Sequence, residues 1–140
     1  MTDFSITIDI QAPPDRVWAV LSDVERWHEW TPSVTSVQLL DPAPLTIGSR
    51  ARIVQPKLRP AVWQVTEFDP AARTFGWVTR APGLRVVGWH GVEPHGAGSK
   101  ARLTLHFSGL LAPLIARLYR GLNERYLALE AKGLKQRSEA

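Results

Sequence analysis

The sequence predicts an α+β fold with an antiparallel sheet, on three observations. An alternating strand opens the chain, about six further strands separated by short Pro- and Gly-containing turns fill its middle, and a long amphipathic helix closes it. Strands clustered between helices, with turns too short for parallel crossovers, favour antiparallel pairing. The closing helix carries an apolar stripe that must be buried, and the sheet is what can receive it.

Phe4, Ile6, Ile8 and Ile10 alternate with Ser5, Thr7, Asp9 and Gln11, the period of a half-buried strand, and Ala12-Pro13-Pro14 ends it. Pro14 and Asp15 suit a helix start. Val17, Trp18, Val20 and Leu21 make that short helix amphipathic. Ser22-Asp23 can cap a second short helix running to about Trp30, which Thr31-Pro32-Ser33 breaks. Strands are then expected over 33–40, 49–55, 61–68, 73–80, 84–93 and 100–108, punctuated by Asp41-Pro42-Ala43-Pro44, Pro56, Asp69-Pro70, Ala81-Pro82-Gly83 and Pro94-His95-Gly96-Ala97-Gly98. From Leu110 to Lys135 the spacing predicts one helix. Its stripe is Leu111, Ile115, Leu118, Leu122, Tyr126 and Leu129, with Pro113 in the first turn and Gly133 at the fraying end. Arg117, Arg120, Glu124, Arg125 and Lys132 fall mostly on its other faces.

One hundred and forty residues, 44% of them hydrophobic, suit a single domain over 1–140 with a real core. No apolar run approaches the roughly 18 residues of a transmembrane helix, and no signal peptide is visible at the start. The absence of cysteine excludes disulfides, thiolate chemistry and cysteine metal sites, and fits a cytoplasmic protein. The formal charge is +4, from scattered basic residues that read as a solvated surface. Arg117, Arg120 and Arg125 offer an alternative, a face for anionic lipid or RNA, but few aromatics interleave with them, so nucleic-acid binding is not expected. Six tryptophans in this length are the unusual feature, since Trp favours pockets and interfaces where its N–H finds a partner. There is no Gly-rich phosphate loop, no HExxH, no His/carboxylate spacing of a metal site and no GxSxG elbow, so no cofactor or metal is implied.

Several motifs share a characteristic order: Ile8-x-Ile10-x-Ala12-Pro13-Pro14-x-x-Val17-Trp18, then Trp27-x-x-Trp30-x-Pro32, Gly48 before a strand, Gly98-Ser99-Lys100-Ala101 at the last hairpin and Gly109 before the final helix. With them the chain resembles the START-like (Bet v 1-like, SRPBCC) superfamily, and most of all its bacterial polyketide cyclase/dehydrase-type members. The resemblance covers nearly the whole chain. It implies a helix-grip fold, a curved antiparallel sheet of about seven strands wrapped around the long C-terminal helix, with two short helices after the first strand. It also implies an apolar cavity between sheet and helix. Members bind lipids, hormones or polyketides, and some catalyse cyclisation or dehydration, so the fold alone does not choose a function.

Strand periodicity assigns the faces. Ala51, Ile53 and Gln55 share one face, as do Trp63 and Val65, Phe75, Trp77 and Thr79, and Leu103, Leu105 and Phe107. For 84–93 the inward set is Val86, Gly88, His90 and Val92. The expected interior therefore holds Trp63, Phe75, Trp77 and Phe107 facing Leu118, Leu122 and Tyr126, with Gln55, Thr79, His90 and the Tyr126 hydroxyl as its polar groups. Apolar walls with a few convergent polar groups suit a hydrophobic or aromatic small molecule, although aromatics on a sheet face also pack ordinary cores. His90 is the sharpest candidate for proton transfer, with a pKa lowered by burial, and the bland alternative is a buried neutral histidine bonded to backbone or to Tyr126. In a cyclase- or dehydratase-like enzyme His90 would be the base and Tyr126 or Gln55 the donor. Trp27 and Trp30 meet on one helix face, either walling the pocket mouth or gluing the short helices to the sheet edge. The resemblance places Trp30 near the cavity. Glu29 reads as a solvated helix residue, with a carboxylate at the mouth the alternative. A homodimer is compatible with these features.

Overall fold

Alternation puts Phe4 and Ile10 on the buried side of the first strand and Asp3, Ser5, Thr7 and Asp9 in solvent. In the computed structural model, which describes residues 2–140 and Thr2 by its backbone alone, this strand is β1 (Thr2–Ile10). Pro14 opens α1 (Pro14–Ser22), whose Val17 and Leu21 are buried. The second short helix, Val24–Glu29, is a 3-10 helix that buries Val24 and Trp27. Next come β2 (Ser36–Leu39), β3 (Arg50–Val54), β4 (Ala61–Asp69), β5 (Thr74–Ala81), β6 (Leu84–His95) and β7 (Gly98–Ser108). The chain closes with α2 (Ala112–Leu118) and α3 (Arg120–Glu139).

The seven strands form one sheet in the order β1-β7-β6-β5-β4-β3-β2. Every neighbouring pair is antiparallel, as the short turns require. The inward faces of β3, β5, β6 and β7 follow the expected alternation. β4 departs from it after Val65, where a bulge shifts the register against β5 between Val65 and Glu67. Strict alternation would have put Glu67 inside. The extra residue turns Phe68 inward, opposite Phe75 and 5.7 Å from the Trp18 ring.

The closing segment differs from the single leucine-faced helix. It is broken at Tyr119 (φ −104°, ψ 15°), beside Gly121, a poor helix former. Its buried residues are Ala112 and Ala116 in α2 and Asn123, Tyr126, Leu127, Ala131 and Leu134 among those of α3. Leu118 is 69% exposed, Leu122 only half-buried. Small residues fix this rotation, because close backbone approach on one face outweighs the bulk of the leucines on the other. Gly133 shows why: a Cβ built there would lie 1.9 Å from the Trp30 carbonyl oxygen. Gly133 therefore sits inside the helix, which runs on to Glu139, at the point where α3 crosses the 3-10 helix. Below that crossing Leu134, Ala131 and Leu127 belong to the same core as Val17, Leu21, Val24 and Ile10. Full burial of Leu134 is worth about 1.5–3 kcal/mol.

Candidate functional site

Sheet and C-terminal helices enclose a cavity of about 330 Å³. Its sheet wall is apolar and aromatic. Ile53, Trp63, Trp77, Val86, Leu105 and Phe107 come from five consecutive strands, β3 to β7. Gly88 contributes by lacking a side chain, since a Cβ there would meet the Trp77 indole nitrogen at 3.1 Å. The helix wall is mixed. Asn123, Tyr126 and Glu130 recur at i, i+3 and i+7 on α3 and, with Tyr119 at the break before it, line the cavity, so one stripe of α3 presents polar groups at roughly 5–6 Å steps. Leu58, Leu84 and Ile115 complete one end.

His90 faces this cavity from β6. It is 6% exposed, its ring stacked on Phe75 with centroids 4.2 Å apart and 13° between planes. Trp27 and Trp77 pack against it at 5.4 and 5.7 Å. Nδ1 lies 3.3 Å from the Phe75 carbonyl oxygen, so in the neutral ring Nδ1–H donates and Nε2 keeps its lone pair. Burial pushes the pKa down to about 4, against the opposing pull of the Phe75 carbonyl.

Glu130 faces it from the helix. By accessible surface it is only half-buried. It stands in the cavity wall, where its carboxyl is withdrawn from bulk water. Burial raises its pKa to about 7, with Ser33 hydrogen bonding to the charged form and opposing the rise. Ser33 is fully buried and its hydroxyl shares a 2.7 Å bond with that of Thr31. Asn123 is 7% exposed and its Nδ2 has no hydrogen-bond partner.

Of the residues expected from sequence, the fold brings His90, Gln55, Trp63, Trp77, Phe107 and Tyr126 together around this cavity. Five do not line it. Phe75 is wholly buried behind His90. Thr79 lies toward the end of β5, clear of the wall. Leu122 is turned away with the face of α3 fixed at Gly133, and Leu118, on α2 before the break at Tyr119, is exposed opposite the buried Ala112 and Ala116. Trp30 faces a shallow surface hollow with Arg16, Val20 and Arg137, while Trp27 takes the cavity position and donates Nε1–H to the Leu21 carbonyl at 2.9 Å. Glu29 is exposed and paired with Arg137 at 2.6 Å, away from the mouth. Two expected donors are occupied: the Tyr126 hydroxyl donates to the Pro56 carbonyl, and Gln55 Nε2 donates to the Ser33 carbonyl at 3.3 Å.

Sequence reasoning weighed Trp27 for the pocket but favoured Trp30, and it missed Asn123 and Glu130. The signal for the last two was a second stripe, Tyr119-Asn123-Tyr126-Glu130 beside Ala116, Ala131 and Gly133, overshadowed by the leucines. Among the described residues no three His, Asp or Glu side chains gather as a metal site, and no helix is long and apolar enough to cross a membrane.

No curated protein matches this sequence. Solved structures do. The Zhui aromatase/cyclase from Streptomyces sp. R1128 superposes with a TM-score of 0.80 at 20% identity, over 99% of this chain and 93% of that one. One half of the di-domain ARO/CYC BexL, from the BE-7585A biosynthetic pathway, gives 0.75 at 23% identity, over 99% of this chain and 47% of that one. Ara h 8.0201 gives 0.74 at 15% identity, over 98% and 97%. At these identities the likeness shows the fold, the helix grip of the Bet v 1-like superfamily. The sequence itself matches the family described as polyketide cyclase / dehydrase and lipid transport over residues 1–139, and with fold and sequence in agreement the chain belongs to that family.

Proposed function

We propose that this protein binds a hydrophobic, aromatic or lipid-like small molecule in the cavity between the sheet and α3. The observation that carries this reading is the composition of the cavity: a void of about 330 Å³ with three tryptophans in its wall and a few polar groups on the opposite side. A well-packed core of this size leaves few voids larger than a water molecule, whereas small-molecule sites begin near 300 Å³ and are walled in this way. Trp27, Trp63 and Trp77 make the site its own reporter. Native mass spectrometry of the purified protein, followed by tryptophan quenching against a panel of polycyclic aromatics and fatty acyl lipids, tests it. Saturable quenching with one-to-one mass adducts is expected. A panel that neither quenches nor adds mass refutes the reading.

One observation favours a second reading, a cyclase- or dehydratase-like enzyme in the same cavity. His90 and Glu130 line one chamber with pKa values of about 4 and about 7. A proton-transfer group works best with a pKa near the operating pH. Glu130 meets that condition, and His90, neutral but weakly basic, does not. In this reading the Glu130 carboxylate takes the proton from the carbon alpha to the ketone and returns it to the β-hydroxyl, which leaves as water as the double bond forms, so that the carboxylate is regenerated, while the neutral His90 ring accepts a hydrogen bond at Nε2. Glu130→Gln should then slow dehydration of an aromatic β-hydroxyketone, followed by enone absorbance, by about 10²–10⁴. Absent turnover by the unmodified protein leaves binding as the function.

A further inference from the structure

Three segments meet at the end of the sheet where the cavity is lined by Leu58, Leu84, Ile115 and Tyr119. They are the β3–β4 connection, the β5–β6 turn and the path from β7 through α2. Antiparallel order puts these crossings at the same end, and the Leu111 N–H, donating to the Gly83 carbonyl at 2.8 Å, fastens α2 to the turn.

α2 buries Ala112 and Ala116. Its opposite side leaves Leu114 55% and Leu118 69% exposed, one turn apart, and Leu110 and Leu111, in the turn that leads into it, are 95% and 44% exposed. A single exposed leucine requires no explanation, but a contiguous row is an interaction surface. The charges around the row have one sign. Lys57 and Arg59, Arg80 and Arg85, and Arg117 and Arg120 lie in the three segments, and 55–60, 80–85 and 108–123 contain no Asp or Glu. Among the described residues none of these six cations takes part in an ion pair. Beyond these stretches Glu124 lies one turn past Arg120, and Asp3, on β1 opposite His106, is bound to that histidine.

We propose that this end of the molecule docks on the surface of an anionic lipid bilayer, with α2 lying in the interface plane. The leucine row enters the boundary between headgroups and acyl chains, and the six cations sit at the level of the phosphates. An apolar ridge flanked by lysine and arginine is the arrangement that holds interfacial helices. A second copy of the chain fits poorly, because a two-fold contact through this face brings the cations of both copies together. Docking also sets the cavity's α2 end against the bilayer, so that an apolar ligand passes between lipid and cavity without crossing water. That last step rests on the proposed ligand-binding function, whereas docking itself does not.

The test is co-sedimentation of the full chain with vesicles of phosphatidylcholine alone and of phosphatidylcholine with about a third phosphatidylglycerol, at low salt and at about 0.5 M salt, where charge is strongly screened. Binding is expected to the anionic vesicles, weakened by salt. Arg117→Gln/Arg120→Gln should weaken low-salt binding by roughly thirtyfold. Leu114→Ser/Leu118→Ser should abolish the part that survives high salt. Both pairs are exposed, so unchanged melting temperatures show that the fold is intact, and unchanged tryptophan quenching by soluble aromatics separates loss of docking from loss of the cavity. Equal binding to both vesicle types, no binding to either, or leucine variants that bind as well as the parent overturn the proposal. So does a concentration-dependent dimer that the leucine variants dissociate, which would assign the face to a second copy.

Discussion

His90 and Glu130 should cancel one another in the pH dependence of stability, and removing either one should expose the other. The His90 pKa falls from 6.5 unfolded to about 4 folded, through burial. Between those values the unfolded chain holds the extra proton, so this ring's contribution to stability is lost as the pH falls. The Glu130 pKa rises from 4.5 unfolded to about 7 folded, again through burial. Here the folded chain holds the extra proton, so the contribution is present at low pH and lost as the pH rises toward 7. At pH 5.5 each group differs between states by about 0.9 of a proton, with opposite sign, which is about 1.2 kcal/mol per pH unit each way. Their sum is close to zero. Glu29, Asp41 and Glu139, whose pKa values are held down by Arg137, Arg50 and Lys135, act only below the usual carboxylate range and are common to every variant. Urea unfolding of the parent, His90→Gln, Glu130→Gln and the double variant at pH 5.0, 5.5, 6.0 and 6.5 measures the difference. Relative to the parent, Glu130→Gln should gain stability with rising pH by about 1.2 kcal/mol per unit, His90→Gln should lose as much, and the double variant should run parallel to the parent. Four parallel lines would mean that neither group is withdrawn from water, which removes the dry cavity together with the acid–base reading built on it.

Three further outcomes test the packing. Leu134→Ala should destabilise by about 2–5 kcal/mol and Leu118→Ala by less than about 0.5, by urea unfolding, and equal losses would restore the leucine stripe as the buried face. Trp77→Ala should lose less than the about 3–5 kcal/mol of a fully packed aromatic, since part of its indole faces the cavity, and a loss above that range would favour a solid core. Gly133→Ala should lower the melting temperature although alanine is the better helix former by about 1 kcal/mol, because the added carbon meets the Trp30 backbone; a raised melting temperature would refute the close approach.

Where the residues impose a strict period, the fold was legible. Phe4 to Ile10 and Leu103 to Phe107 alternate with polar partners, and a one-residue slip would have exposed each whole set, whereas in 84–93 Val87 and Trp89 are apolar too and only Arg85 and Glu93 mark the outer face. With them came the antiparallel order, the sheet wall and the place of His90. Legibility ended where two signals competed. At Val65–Glu67 a bulge adds a residue, which no alternation announces. The 3-10 helix ends at Glu29, so Trp30 falls at its cap (φ −126°, ψ −5°) and not on the turn above Trp27, and the buried Leu21 carbonyl claims the Trp27 N–H. In the closing helix hydrophobic bulk and backbone approach pointed to different faces. Counting apolar residues favoured the leucines. Contact geometry favoured the alanines and Gly133, and a carbonyl 1.9 Å from an added carbon cannot be accommodated by a side-chain shift.

That rotation links the cavity and the exposed leucine row. Had Leu114, Leu118 and Leu122 faced the sheet, their side chains would have occupied the space now left open opposite Trp63 and Trp77. Each leucine buried there would have contributed about 1.5–3 kcal/mol. The observed rotation forgoes that gain and turns Tyr119, Asn123, Tyr126 and Glu130 inward instead. Polar groups at these positions resist collapse of the wall, because closing it would press an unpartnered Asn123 amide and the Glu130 carboxyl against indole rings, at about 1–3 kcal/mol for each polar group left without a partner. The cavity is thus kept open by what lines its helix side. The leucines displaced from it by the same rotation form the exposed row on α2 and the start of α3, next to the end of the cavity they would otherwise have filled. A substitution that reversed the rotation would therefore fill the pocket and remove the apolar ridge together. Gly121→Ala, which strengthens the helix at the break beside Tyr119, with no atom within 4 Å of the added carbon, offers the mildest approach to that state. It should raise the melting temperature by a few degrees. If continuity at Tyr119 also turns the leucines inward, ligand quenching and vesicle binding should fall in parallel in the same variant, and a loss of one without the other would show that the two features are independent.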